Sequence, residues 1–228
     1  MKLGGVEVPA IKEIEKRIEE LSGRYSAYEI FYDWITCGAI SISNSFQMIR
    51  DKVWEQREKE YSTIIGKYTE EERKEFPEML GLLTMALEED MADVLGAIFM
   101  EMGMGSKATG QFFTPFHISE LNARIAIDIE RLKRDGEEVE LVEPSCGGGG
   151  AIIAAAKYLK ENGINYQKRM KVVAQDLDWK GVYMTYLQCS LTGIKAVVAQ
   201  GDSLMEPYAR GYPRYRTLVT PAAMGAFT

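Results

Sequence analysis

Glu138-Val139-Glu140-Leu141-Val142-Glu143-Pro144-Ser145-Cys146-Gly147-Gly148-Gly149-Gly150 joins a short β-like run, Glu138 to Val142, to an alanine-rich helix over Ala151 to Asn162. A glycine run at such a junction lets backbone approach a ligand closely and turn sharply, because no Cβ intervenes. The helix that follows presents unpaired amides and the positive end of its dipole to the same ligand. Several cofactor folds use this device, and a glycine turn needed only for packing is the competing reading.

Two further β-like runs follow the same plan. Lys171 to Gln175 ends at Asp176, and Lys195 to Gln200 ends at Gly201-Asp202-Ser203. Asp176 lies 33 residues after Glu143 (176 − 143). A carboxylate at that tip can accept both hydroxyls of a ribose. The alternative for Asp176 is a helix N-cap, and that reading is preferred for Asp178, because the helix over Trp179 to Leu191 starts next. A carboxylate at Asp202 can accept from an adenine amino group, with Ser203 beside it. Arg216 to Thr220 is a weaker fourth strand. Strand, helix, strand, helix, strand predicts an α/β fold with a parallel sheet and right-handed crossovers. Three strand tips then address one adenosine-like ligand at the carboxyl ends of the strands.

Before residue 105 the pattern is helical throughout. Val8 to Ser22 sets Ile11, Ile14, Ile18 and Leu21 at three- and four-residue spacing. Tyr25 to Trp34, Arg50 to Tyr68 and Pro77 to Met102 are further helices, with Pro77 near the start of the last. Ile118 to Lys133 reads as one amphipathic helix. The organisation is therefore a helical region over 1–105 and an α/β domain over 106–228.

Composition bounds the function. The formal net charge is −7, which argues against strong DNA binding by this chain alone, since phosphate neutralisation supplies most non-specific affinity. No run of about 18 apolar residues is present, so no membrane span is expected. Met1 to Ala10 lacks the pattern of a secretory signal. Three separated cysteines without a CxxC pair read as reduced thiols of a cytoplasmic protein, not as a metal site. His117, the single histidine, reads as a capping or surface residue.

Gly110-Gln111-Phe112-Phe113-Thr114-Pro115, followed by a helix and Glu143-Pro144-Ser145-Cys146-Gly147-Gly148-Gly149, resembles the modification subunit of type I restriction systems. More broadly it resembles the adenine-N6 DNA methyltransferases. Asp93-Val94-Leu95-Gly96 is similar to the end of that family's N-terminal helical region. The resemblance implies a Rossmann-like methyltransferase sheet that binds S-adenosyl-L-methionine. It implies that Phe113, Thr114 and Pro115 contact the methionine end, with Glu143, Pro144 and Gly147 to Gly149 forming the loop beneath it. It further implies that Asp176 holds the ribose, Leu177 packs on the adenine, and Asp202 with Ser203 meets the adenine amino group. The partners it implies are DNA and a specificity or restriction subunit, or a second copy.

One departure stands out. The family's Asn-Pro-Pro-aromatic motif, which holds a flipped adenine, corresponds here to Thr220-Pro221-Ala222-Ala223, 18 residues after Asp202 (220 − 202). Thr220 lacks the paired amide donor and acceptor, and Ala223 has no ring to stack on a base. Thr220 and Pro221 thus mark a degenerate catalytic position. Met205-Glu206-Pro207-Tyr208 follows Asp202 too closely to serve instead. Only 26 residues follow Asp202 (228 − 202), so the sheet is truncated relative to the family. Two functions stay open: a DNA adenine methyltransferase completed by another polypeptide, and a non-catalytic cofactor-binding or scaffold member. A nicotinamide oxidoreductase is disfavoured, because the glycine spacing and the later acid depart from that fingerprint.

Overall fold

The computed structural model describes residues 2–3, 6–7, 9–105, 113–209 and 211–225. A two-residue antiparallel pair, β1 (Lys2–Leu3) and β2 (Val6–Glu7), precedes five helices. These are α1 (Pro9–Leu21), α2 (Ala27–Phe46), α3 (Lys52–Ile65), α4 (Glu70–Glu89) and α5 (Val94–Glu101). Capping boxes fix two of the starts: Ser26 with Glu29 for α2, and Thr69 with Glu72 for α4. Ile11, Ile14 and Ile18 of α1 are fully buried, as their spacing predicts.

The stretch 77–102, expected as one helix, is two. Pro77 sits inside α4, and the chain breaks at 90–93, where the Asp93 side chain accepts from Gly96 N and starts α5. The stretch 118–133 also splits, into α6 (Phe116–Ala126) and α7 (Ile129–Asp135), because the Asp128 side chain caps a new helix at Arg131 N.

The remaining elements are β3 (Val139–Glu143), α8 (Gly150–Glu161), α9 (Tyr166–Arg169), β4 (Met170–Asp176), α10 (Trp179–Leu191), β5 (Lys195–Gln200), a 3-10 turn (Arg214–Arg216) and β6 (Thr217–Val219). The sheet order is β3-β4-β5-β6. The first three strands are parallel, and Asp176 of the central one aligns with Gln200. β6 runs antiparallel to β5. A parallel return needs a long, usually helical crossover. The connection from Gly201 to β6 instead holds turns, two prolines and the 3-10 turn, so the chain reverses.

One face of the sheet, carrying Val172, Ala174, Ala196, Val198 and Leu218, is buried beneath helices. Val142, Val173, Val197 and Val219 align across the other face, and Val142 is 72% exposed there. The apolar core is continuous from α1 through α10 into the sheet. Among the described residues no helix is long and apolar enough to cross a membrane.

Candidate functional site

The glycine loop folds back over the tip of β4. Cys146 N donates to Gln175 O at 2.9 Å, and Gly149 N closes the turn on Cys146 O at 2.7 Å. Gly147 (φ +50°) and Gly149 (φ +92°) occupy the left-handed region that side chains rarely adopt. Gly149 is the N-cap of α8, whose first turn continues with Ile153 N donating to Gly149 O.

Asp176 ties this loop to the strand tip. Its Oδ2 accepts from Gly147 N at 2.8 Å, and its Oδ1 accepts from Asp178 N at 2.9 Å. Burial raises its pKa, while the two amides and the Lys180 ammonium oppose the rise. Lys180 is itself buried, with Nζ 3.6 Å from Asp178 and 4.4 Å from the Phe99 ring centroid. Each Asp176 oxygen retains a further lone pair, so the carboxylate can still accept a ligand hydroxyl.

A second acid lies beneath the loop. Asp93 Oδ1 accepts from Gly96 N at 2.8 Å and from Gln188 Nε2 at 2.9 Å. Gln188 also donates to Gly148 O and accepts from Val94 N at 2.8 Å. Thr185 Oγ1 donates to Gly147 O at 3.0 Å. A Cβ on Gly148 would stand 2.5 Å from Asp93 Oδ1, and one on Gly147 would stand 2.7 Å from the Phe113 ring. Both glycines are therefore required by close approach. Burial raises the Asp93 pKa, opposed by its Gln188 and Gly96 hydrogen bonds. Asp93, Thr185 and Gln188 belong to this site, although the sequence reading did not select them. The available signal was a polar pair, Thr185 and Gln188, three residues apart on a helix that is largely buried.

Above the loop lies a cleft of about 410 Å³ lined by Phe113, Thr114, Glu143, Gly147 and Asp176, together with Asp93 and Asn122. That size suits a small organic ligand. Its floor is glycine backbone at a helix N-terminus, and its walls carry carboxylates and a ring. This donor set fits a ligand that brings hydroxyls and an ammonium group. Phe113 packs on Phe99 at 5.2 Å between ring centroids.

Other expected residues lie around the cleft instead of lining it. Pro115 lines a neighbouring apolar hollow of about 350 Å³ with Phe113 and Thr114. Pro144 is exposed, and Gly149 faces Thr185 under the loop. Leu177 stands at the strand tip, 69% exposed. Asp202 Oδ1 accepts from Leu204 N at 2.9 Å and Met205 N at 3.2 Å, so it shapes its own turn, with Ser203 inside that turn. Gly110, Gln111 and Phe112 lie outside the described residues. Cys146 is buried, as are Cys37 and Cys189, and burial pushes all three thiols up, so none is a ready nucleophile.

The geometry sets the degenerate catalytic position apart from the cleft. Thr220 is fully buried, with Oγ1 donating to Ile194 O at 2.8 Å and accepting from Ala196 N at 2.9 Å. Ile194 and Ala196 flank the start of β5, at the opposite end of the sheet from Asp176. Because β6 is antiparallel, it carries Thr220 and Pro221 away from the cleft.

No curated protein matches this chain. A Listeria monocytogenes crystal structure described as a class I S-adenosylmethionine-dependent methyltransferase is 16% identical, with a TM-score of 0.45. The match covers 87% of this chain and 55% of that one, so the chain spans about half the length of that structure. Residues 89–221 match the N-6 DNA methylase family, which is 133 of 228 residues (221 − 89 + 1) and more than half of the chain. On that match the chain belongs to the N-6 DNA methylase family, and its cofactor is S-adenosylmethionine.

Proposed function

We propose that this chain is the cofactor-holding part of a DNA adenine-N6 methyltransferase of the restriction-modification type. The observation that carries the reading is the convergence of Phe113, Gly147 and Asp176 on one cleft inside the family-matched segment. In this reading Asp176 takes the ribose, Leu177 and Asp202 flank the adenine from neighbouring tips, and Ser203 supports the Asp202 turn. Glu143, Thr114 and the amides of the glycine loop take the methionine end, with Phe113 closing over it and Pro115, Pro144 and Gly149 holding the shape of the segments. When bound, S-adenosylmethionine supplies an electrophilic methyl group on a sulfonium sulfur. Positioning of the target nitrogen then accounts for most of the rate.

The helical region 1–105 and the domain 106–228 share the work, because Asp93 of the first underlies the loop of the second. With a net charge of −7, the grip on DNA falls to a specificity or restriction partner, or to another copy, in the cytoplasm.

A second reading, a cofactor-binding member without transfer activity, is favoured by one observation. Thr220 and Pro221 are remote from the cleft, and Thr220 is committed to backbone bonds. Incorporation of labelled methyl groups into adenine-containing DNA separates the two. The chain alone is expected to incorporate none, and the chain supplemented with a partner that supplies the base-holding group is expected to incorporate label. Failure of every such complex would leave the second reading. Thr220→Asn is expected to destabilise the fold by about 1–3 kcal/mol, through overpacking and a lost buried hydroxyl. It is not expected to create activity, and a rescued transfer rate would contradict this placement.

A further inference from the structure

A second cavity, of about 200 Å³, lies between α2, α3, α10 and the 3-10 turn, away from the cofactor cleft. Its walls are Tyr32, Trp179, Tyr183 and Tyr215, with Arg57 and Glu60 as its charged groups. Trp179 and Tyr183 stack at 5.2 Å with their planes 26° apart, and Tyr32 meets Tyr183 edge-on at 6.3 Å. Tyr215 is 59% exposed, so its ring is open to a ligand. Trp179 directly follows the Asp178 cap, and Thr217, next to the 3-10 turn, pairs with Ala199 near the end of β5. The cavity thus sits at the same end of the sheet as the cofactor cleft.

The polar groups choose the ligand class. Arg57 is held in place, donating to Ser43 Oγ at 3.0 Å and Thr217 O at 2.8 Å. The Glu60 carboxylate accepts no hydrogen bond among the described residues. The Arg57 guanidinium and the Glu60 carboxylate together leave the cavity without net charge, which suits a neutral ligand better than a cation, the usual occupant of an aromatic cage. A donor and an acceptor beside stacked rings instead match a planar group with both N–H and C=O on its edge. The volume sets the scale, since a cavity of roughly 150 Å³ holds benzene. About 200 Å³ therefore suits one or two fused rings and is too small for a whole nucleotide.

We propose that this cavity binds a purine or pyrimidine base, stacked on the Trp179 and Tyr215 rings with its polar edge toward Arg57 and Glu60. The inference does not depend on the cofactor reading. Base–aromatic stacking tolerates any base, so the source is either a free nucleoside or an unpaired base of a strand.

Cytidine, thymidine, a short oligothymidylate and tetramethylammonium would be titrated into the full chain while the fluorescence of Trp179 is followed. Trp179→Phe identifies the reporting signal. The pyrimidine probes avoid the adenosine site, so failure of cofactor binding leaves the result readable. The expected result is saturable quenching by the nucleosides or the oligonucleotide, weakened about tenfold by Tyr215→Ala and also weakened by Glu60→Ala. Equal affinity for nucleoside and oligonucleotide supports a free base, and much tighter oligonucleotide binding supports a strand. Quenching by tetramethylammonium alone, no quenching by any probe, or indifference to Tyr215→Ala in a chain that melts normally would each overturn the proposal.

Discussion

Asp93 and Asp176 are both carboxylates at the loop, but their positions ask different things of them. Asp176 faces the cleft and keeps lone pairs for a ligand. Asp93 also reaches the cleft but is more deeply buried, and its Oδ1 holds Gly96 N and Gln188 beneath the loop. Because burial raises its pKa, the folded state retains a proton that the unfolded state has already released above about pH 3.9. The contribution of Asp93 to stability therefore falls as pH rises from that value through the raised folded one, then levels off. Asp93→Asn removes this titration, so its urea midpoint is expected to change less with pH than that of the natural chain, Asp176 keeping its own share, and an unchanged pH dependence would rule out the Asp93 contribution. Gly148→Ala is expected to destabilise the fold by about 1–3 kcal/mol and to abolish cofactor binding, since the new methyl meets Asp93 at 2.5 Å. Calorimetric binding together with thermal melting reads both effects. The sequence announced Asp176 and the glycines, because strand tips and glycine runs are local patterns. Asp93 and Gln188, 95 residues apart (188 − 93), were hidden because their contact exists only after packing.

Among the elements, the ones read most closely were those with unambiguous punctuation. Trp179–Leu191 follows an Asp cap and ends at Gly193, and Lys195–Gln200 lies between Gly193 and Gly201, so both have the bounds the sequence suggests. Pro77 misled because proline favours a first turn, whereas the capping box at Thr69 and Glu72 starts the helix earlier and tertiary packing tolerates the ring. Pro77→Ala restores a donor within helical reach of Arg73 O. It is expected to raise the unfolding free energy by up to about 3 kcal/mol, and a lowered melting temperature would mean the ring is needed for packing. The direction of β6 was not legible, because pairing direction depends on the connection and not on the three residues of the strand.

At the scale of the molecule, a helical layer and a sheet share one core and shape a cleft at the carboxyl ends of the parallel strands. The family and the loop chemistry were readable from residues 110–150 and the two following tips. The remoteness of Thr220 was not, since it follows from the chain reversal before β6. The row Val142, Val173, Val197 and Val219 runs across the outer face of the sheet beside the charged row Glu140, Lys171 and Lys195, and of the four valines only Val142 is exposed. The central claim is that the glycine-loop cleft holds S-adenosylmethionine, and calorimetric titration of that cofactor and of S-adenosylhomocysteine tests it most directly. The account predicts saturable binding to the natural chain, stabilisation by about 2.7 kcal/mol at 100 times the dissociation constant, and loss of both in a folded Asp176→Ala variant. A folded natural chain that binds neither compound, or an Asp176→Ala variant that binds as well as the natural chain, would contradict it.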